Sequence, residues 1–131
     1  MISPASRLNY YNSDSTTNSA VLFGTTWPTI VFSLNDISDV LIASNTTIVT
    51  LVLFSDASCT TLAVSDVSNN SVTTVLGLAT FNSVKTSTVG FYYFQGIIND
   101  TNIKSTCSIG SVSVYGPPIK TWVSTIGTFM A

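Results

Sequence analysis

The side chains that could do chemistry in this chain are hydroxyls, six aspartates and two cysteines. Ser and Thr supply 40 of the 131 residues, whereas His and Glu are absent. General acid–base catalysis most often uses His, and a Ser–His–Asp triad cannot be assembled without it. The sequence contains no G-x-S-x-G nucleophile elbow and no glycine-rich phosphate-binding motif. It therefore predicts a non-enzymatic protein that has no catalytic residues and needs no cofactor.

The six aspartates stand apart along the chain, at positions where turns are predicted. Only Asp36 and Asp39 are close enough in sequence to flank a single turn. Aspartate is common in turns because its carboxylate accepts hydrogen bonds from nearby backbone N–H groups, so this role is favoured over a catalytic pair. Metal sites usually need four Cys, His or carboxylate ligands, or three and a water. Two cysteines without His therefore predict no metal site.

The two cysteines, Cys59 and Cys107, have two alternative roles. In an oxidising compartment they could form a disulfide closing a loop of about 49 residues, for which the chain-entropy model gives roughly 4 kcal/mol. As free thiols they would instead be buried, because free Cys is among the most buried residue types. The sequence leaves both alternatives open.

Three N-x-S/T sequons could accept N-linked glycans, which requires an exposed loop in a secreted protein. They begin at Asn45, Asn69 and Asn99, each at a predicted turn. The alternative is chance, because such triplets arise at random in a chain this rich in Asn, Ser and Thr.

Charge is scarce throughout the chain. Charged residues make up 8% of the sequence and hydrophobic residues 45%, with four cations against six acids. An average soluble domain is roughly 25% charged, and disordered chains combine low hydrophobicity with high net charge, so a folded domain is expected. Four cations do not form a nucleic-acid surface. A small net charge gives little colloidal repulsion, which favours a subunit of an assembly over a free monomer.

The first 19 residues are polar and rich in turn formers. They lack the basic and apolar regions of a secretory signal, so none is expected here. No apolar run approaches the 18 residues of a membrane-spanning helix. The sequence predicts a poorly structured N-terminal arm over residues 1–19, followed by a single β domain over residues 20–131.

The stretch Thr46–Ser55, TTIVTLVLFS, is predicted as the central strand. It is apolar on both faces, and a strand of this kind is covered on both faces. In a domain of two sheets only one face points to the opposing sheet. The face of Val49, Leu51 and Leu53 is taken as the surplus one, which needs a loop, the N-terminal arm or a second subunit to cover it.

Turns separate eight or nine short strand candidates, and helical patterns are weak. Only Asp36–Ala43 leaves room for a short helix, and Ile119–Ile126 is predicted as the last strand. Strands at this spacing predict an all-β fold, an antiparallel β-sandwich or barrel.

Aromatic and apolar side chains exceed what one small domain easily hides. Interface cores are enriched in aromatic residues and depleted in Lys, Glu and Asp, which predicts a homo-oligomeric interface; packing into the core is the alternative. A closed ring, or a strand added from a partner, would also protect edge strands that few lysines guard. The candidate interface residues are Tyr10, Tyr11, Trp27, Tyr92, Tyr93, Phe94, Trp122, Phe129 and Met130.

Over its whole length the chain resembles the nozzle proteins in the tails of spindle-shaped archaeal viruses, the fuselloviruses. The resemblance lies in length and in a charge-poor composition rich in Ser, Thr, Asn, Val and Ile. No diagnostic motif carries it, so no site residues are transferred. It implies a ring-forming structural protein in the virion tail, between an adaptor and the tail spike, involved in attachment or genome passage. Such a protein is extracellular after virus release.

Two other functions remain as alternatives. A secreted archaeal pilus or thread subunit could polymerise by donating its N-terminal arm as a strand, although residues 1–19 alternate poorly for that role. A carbohydrate-binding β-sandwich could use Trp27 or Trp122 as a platform for a sugar ring, but only these two tryptophans support it.

Overall fold

A computed structural model describes residues 5–11, 18–43, 46–63 and 67–116. Ten β-strands follow one another in these ranges, which contain no helix, so the all-β prediction is confirmed for them. The strands are β1 (Arg7–Tyr10), β2 (Ser19–Leu22), β3 (Ile30–Asn35), β4 (Ile48–Phe54), β5 (Val67–Ser68), β6 (Ser71–Thr73), β7 (Leu78–Phe81), β8 (Lys85–Thr86), β9 (Gly90–Ile98) and β10 (Val112–Tyr115).

Two sequence expectations concern segments without such a strand. Residues 36–43 form turns and a single bridge between Asn35 and Leu41, so the helix allowed there does not form. The strand predicted over Ile119–Ile126 lies outside the described residues.

The strands form three sheets. Their orders are β1-β3-β7, β2-β10-β9-β4-β6 and β5-β8. Every pair is antiparallel except β10 with β2, which run parallel, so the five-stranded sheet is mixed and not wholly antiparallel as predicted. β2 and β10 are far apart in sequence, and no tight hairpin turn dictates an antiparallel pairing between them.

The N-terminal segment is part of the fold where the structure describes it. Leu8 of β1 lies opposite Leu34 of β3 and is buried in the hydrophobic core. The prediction of a poorly structured arm is therefore wrong for Arg7–Tyr10. A four-residue strand offers only two inward side chains, Leu8 and Tyr10, which is too few for a periodic pattern to be recognised.

The core lies between the three-stranded and five-stranded sheets. The Phe32 ring of β3 lies 4.8 Å from the Tyr10 ring and 5.8 Å from the Phe81 ring. The Tyr10 ring in turn lies 6.1 Å from Phe94 of β9, in the other sheet. Burying a side chain such as Phe or Leu contributes about 1.5–3 kcal/mol, so these contacts join the two sheets strongly.

Strand β4 is internal to the five-stranded sheet, between β9 and β6. Val49, Leu51 and Leu53 are buried in the core, so the expectation that theirs is the surplus face is wrong. The opposite face is the one left partly open, because Ile48 is exposed and Val52 is half-buried. The alternation of the two faces was visible in the sequence, but which face meets the other sheet was not.

Contacts of β3 and its preceding residues with β9 show how these two strands are oriented relative to each other. Trp27, which precedes β3, lies 6.0 Å from Tyr92 near the start of β9. Phe32, within β3, lies against Gly96 further along β9. The two strands therefore run in the same general direction. The start of β9 and the end of β3 lie at opposite ends of the domain.

The contact at Gly96 predicts a stability effect. A Cβ on this residue would lie 2.8 Å from Phe32 Cζ and 3.0 Å from Leu8 Cδ2. Overpacking a core typically costs about 1–3 kcal/mol, so Gly96→Ala should lower the free energy of unfolding by this amount in urea denaturation. Gly116→Ala is the matched control, because a Cβ there makes only an ordinary contact, 3.6 Å from Val89 Cγ2. Equal unfolding midpoints for the Gly96 variant and the wild type would contradict this packing.

Candidate assembly surface

A disulfide joins Cys59 to Cys107, with an S–S distance of 2.02 Å and a Cα–Cα distance of 5.6 Å. Of the two alternatives left open by the sequence, the structure has the bridge. Cys59 lies just after β4, on one side of β9. Cys107 belongs to a segment on the other side of β9, where Ser105 N–H donates to the Gly96 carbonyl. The loop after β4 therefore crosses β9 to reach Cys107.

Asp56 organises this crossing loop. Its carboxylate accepts hydrogen bonds from the Thr60 hydroxyl and from the backbone N–H groups of Thr60 and Thr61. These bonds, with the Thr60 hydroxyl the largest cause, lower the pKa of Asp56. Asp36 accepts hydrogen bonds from the N–H groups of Ser38 and Val40 in the same manner. Both carboxylates therefore stabilise turns.

Tyr10 ties β1 to the segment that carries Cys107. Its hydroxyl donates to the Thr106 carbonyl at 2.7 Å and lies 3.2 Å from the Phe94 carbonyl oxygen. Burial raises the pKa of Tyr10 to about 12, against a lowering contribution from the Ser105 hydroxyl. Tyr10 was predicted as an interface residue, and its contacts are with its own domain.

The prediction of an interface at Trp27, Tyr92 and Phe94 is wrong. All three side chains are buried in the core, and those of Tyr92 and Phe94 lie on the inner face of β9. The aromatic run on β9 alternates between the two faces, so only part of it reaches the surface. Trp27 is buried beside Tyr92. The two residues are distant in sequence, so this contact could not be predicted from the residues around Trp27.

The other predicted interface residues have different positions. Tyr11 is exposed, and Tyr93 is half-buried on the outer face of β9. Three lie outside the described residues: Trp122, Phe129 and Met130.

Four neighbouring large apolar side chains are exposed at the outer face of the five-stranded sheet, at the end where β9 begins. They are Leu62, Val89, Phe91 and Tyr115, with exposed fractions of 65%, 58%, 55% and 49%. We call these four residues the apolar patch.

Strand register brings the patch together. Phe91 of β9 lies opposite Ser113 of β10, which places Tyr115 beside Val89. Leu62 lies opposite Phe54, so its side chain shares the outer face with Phe54 and Phe91. None of the four patch residues was among the interface residues predicted from the sequence, because their proximity depends on pairings between distant segments.

A groove of about 370 Å³ runs through the patch, between Leu62 on one side and Val89 and Phe91 on the other. It lies where β4 would continue if it were longer. β4 ends at Phe54, opposite Tyr93 of β9. The first residues of β9, Gly90–Tyr92, have β10 on one side. On the other side no strand among the described residues pairs with them.

A second group of exposed apolar side chains lies at the opposite end of the domain, on two adjoining loops after β3 and before β7. They are Ile37, Val40, Leu41, Val75 and Leu76. We call them the aliphatic tip. The loops touch at Gly77, where a Cβ would lie 2.6 Å from the Ile42 carbonyl oxygen.

Leu76 has an unusual backbone conformation within this tip. Its φ is +52° and that of Gly77 is +78°, as in the two-residue hairpin turns that favour Asn-Gly. A bulky residue with positive φ costs energy, and such strain concentrates at functional sites. Leu76 is also 72% exposed, so it gains little from its own core in return.

Two of the three sequons fall within the described residues. Asn69 and Asn99 are both exposed in turns. The Asn69 side-chain nitrogen donates to the Ser83 carbonyl at 2.9 Å, and the Asn99 side-chain oxygen accepts from the Thr50 hydroxyl at 2.8 Å. Asn45 lies outside the described residues. Glycosylation at these sites stays a prediction.

The described ranges lack two other features, a metal-binding group and a membrane-spanning helix. They contain no group of three or more side chains placed to hold a metal ion. Nor does any helix in them have the length and hydropathy to cross a membrane. The sequence matches no protein family model and no curated protein.

The hydroxyl of Tyr10 predicts both a stability loss and a pH effect. Tyr10→Phe should lower the free energy of unfolding by about 1 kcal/mol at neutral pH, because it removes a partly buried hydrogen bond. The folded pKa of about 12 lies above the ordinary value of 10.0, so the folded state holds the phenolic proton more tightly. Wild-type stability should therefore fall as pH rises from 10 towards 12, and the variant should lack this contribution.

The measurement is urea denaturation across this alkaline range. Tyr11→Phe is the control, because Tyr11 is exposed. Parallel stability curves for the wild type and the Tyr10 variant would contradict the role of the hydroxyl.

The disulfide predicts a larger effect. Replacing both Cys59 and Cys107 by Ala should lower the free energy of unfolding by up to about 4 kcal/mol, since the bridge limits the entropy of the unfolded chain. A reducing agent should shift the unfolding midpoint of the wild type and leave that of the double variant unchanged. A wild-type midpoint insensitive to full reduction would show that the bridge contributes nothing.

Proposed function

We propose that the protein is a non-enzymatic structural subunit that assembles with copies of itself into a closed ring. The apolar patch is the observation that carries this proposal. Its four large side chains are each about half exposed or more, and they adjoin an open strand edge. Contiguous exposed apolar surface of this kind marks interaction sites, and exposed strand edges are usually protected or paired.

The positions of the two apolar surfaces support contacts of a head-to-tail kind. The apolar patch lies at the start of β9 and the aliphatic tip lies at the end of β3, which is the opposite end of the domain. Contacts between unlike surfaces repeat around a ring if the rotation closes, and along a filament if it does not. The ring is preferred here because of the resemblance to nozzle proteins.

The proposed architecture of the subunit is a β-sandwich, with the three-stranded and five-stranded sheets as its two layers. The contacts of Tyr10 with Phe32 in one sheet and Phe94 in the other support this arrangement. A sandwich joined by such a core gives a rigid building block for an assembly.

We place the ring in the tail of a spindle-shaped virion, as a nozzle that contacts an adaptor and a tail spike. The support for this location is the resemblance in length and composition. The composition also suits an acidic exterior, because a surface of hydroxyls does not titrate and only six carboxylates lose charge as the pH falls.

The two alternatives find less support. Strand donation by the N-terminal segment requires that segment to be free, whereas Arg7–Tyr10 pairs with β3 and Leu8 lies in the core of its own domain. A sugar platform at Trp27 requires an exposed ring, whereas Trp27 is buried. Trp122 lies outside the described residues.

The proposal predicts a charge-sensitive assembly. The purified wild type should form closed rings of one symmetry in negative-stain electron microscopy, with a matching mass by mass photometry. Phe91→Arg should shift it to monomers, because a cation in a buried apolar contact loses its hydration without gaining a partner. Ile109→Arg is the control, since Ile109 is exposed outside the patch and the tip.

Three results would contradict the proposal: a wild type that stays monomeric at every concentration, open filaments in place of rings, or rings that persist unchanged in Phe91→Arg. Circular dichroism of the two variants should match the wild type, because both side chains are exposed and neither supports the core.

A further inference from the structure

We propose that residues 119–126 of one copy enter the groove of the next copy and extend its five-stranded sheet beside Phe91. This inference rests on the proposed function and deepens it, because it names the segment that links neighbouring subunits. It differs from donation by the N-terminal arm, whose strand is already paired within its own domain.

The acceptor is the open edge at the start of β9. Successive residues of a strand direct their N–H and C=O groups to alternate edges. Phe94 and Gly96 direct theirs towards the Ser105–Ser108 segment, where each accepts a backbone hydrogen bond and donates to a serine hydroxyl. Phe91, at an odd position, therefore directs its N–H and C=O towards the opposite edge, into the space beyond Phe54.

That space is an uncharged groove of about 370 Å³. The groove lies between the Thr61–Ala63 segment and the start of β9, and Ser55, Leu62 and Val89 also line it. None of the described residues that line it is charged, so the apolar side chains of an entering strand would meet an uncharged surface. Backbone hydrogen bonds to Phe91 would supply affinity, and the exposed Leu62 and Phe91 side chains would receive apolar residues, as in β-strand addition generally.

The donor is identified by its position and sequence. The described chain ends at Gly116, next to Tyr115 of the patch, and residues 119–126 read IKTWVSTI. Ile119 and Val123 share one face of an extended chain, and Trp122 and Ile126 share the other. A strand inserted beside Phe91 would direct one set of apolar side chains towards the core and the other towards the exposed Leu62 and Phe91.

The path of the chain favours a second copy as the acceptor. Gly116 precedes a proline, which disfavours helical geometry at Gly116. β10 already pairs with β9 on one edge and with β2 on the other. The chain that follows β10 therefore cannot fold back and pair with β10 itself. The groove of the same copy lies on the far side of β9 and would require the chain to reverse over Val89.

Cross-linking between two full-length variants tests this directly. One variant carries Leu62→Cys in the groove, and the other carries Ser124→Cys in the donor segment with a mass tag. After co-assembly, a short bis-maleimide should link the two into a covalent heterodimer that mass spectrometry assigns to positions 62 and 124. Ile109→Cys, exposed outside both the patch and the tip, replaces Leu62→Cys as the control and should give no such product.

The outcomes separate this inference from the proposed function. Rings that form without any 62–124 link overturn the inference and leave the proposed function intact. A link found only within single chains of a Leu62→Cys/Ser124→Cys double variant overturns donation between copies. A protein that never assembles overturns both.

A proline substitution in the full-length chain gives an independent readout. Val123→Pro should abolish or strongly reduce rings, because proline cannot donate a hydrogen bond to a strand ladder. Thr128→Pro is the matched control, since it lies beyond residues 119–126 and should leave the rings in place. Unchanged rings in Val123→Pro would overturn strand addition.

Discussion

The disulfide between Cys59 and Cys107 determines how the exposed part of the five-stranded sheet is built. It holds the loop after β4 across β9, so β4 cannot continue beside the first residues of β9. Phe54, at the point of departure, is buried outside the main core cluster, and Tyr93 opposite it is half-buried. Beyond them the sheet edge stays open, and the apolar patch surrounds it. One covalent constraint thus shapes both the outer face and the groove.

The chain has few charges with which to protect this surface. Natural sheets often guard their edges with lysines, and only four cations occur in the whole sequence. The aliphatic tip adds a second exposed apolar surface, with Leu76 held in a strained conformation. Both features would be liabilities in a free monomer. They are ordinary in a subunit whose surfaces are covered by neighbours, so the proposed assembly would account for both.

The sequence allowed the local features of the fold to be predicted. Alternation identified β4 and the aromatic strand β9, and the scarcity of helical patterns indicated an all-β domain. Features that depend on distant pairings could not be predicted: the parallel contact of β2 with β10, the place of Arg7–Tyr10 in the core, and the closeness of Cys59 to Cys107. For the same reason the predicted interface at Trp27 and Phe94 was wrong. Aromatic composition indicates that apolar surface exists, and only the paired sheets decide which side chains remain exposed.

The central claim is that the apolar patch is covered by another copy of the chain in a closed ring. An electron cryomicroscopy reconstruction of the assembled protein at side-chain resolution tests it most directly, through the exposure of Leu62, Val89, Phe91 and Tyr115. The account predicts that all four are buried against a neighbouring subunit, with the same contact repeated around the ring. An assembly in which these four side chains face open solvent in every copy would contradict it.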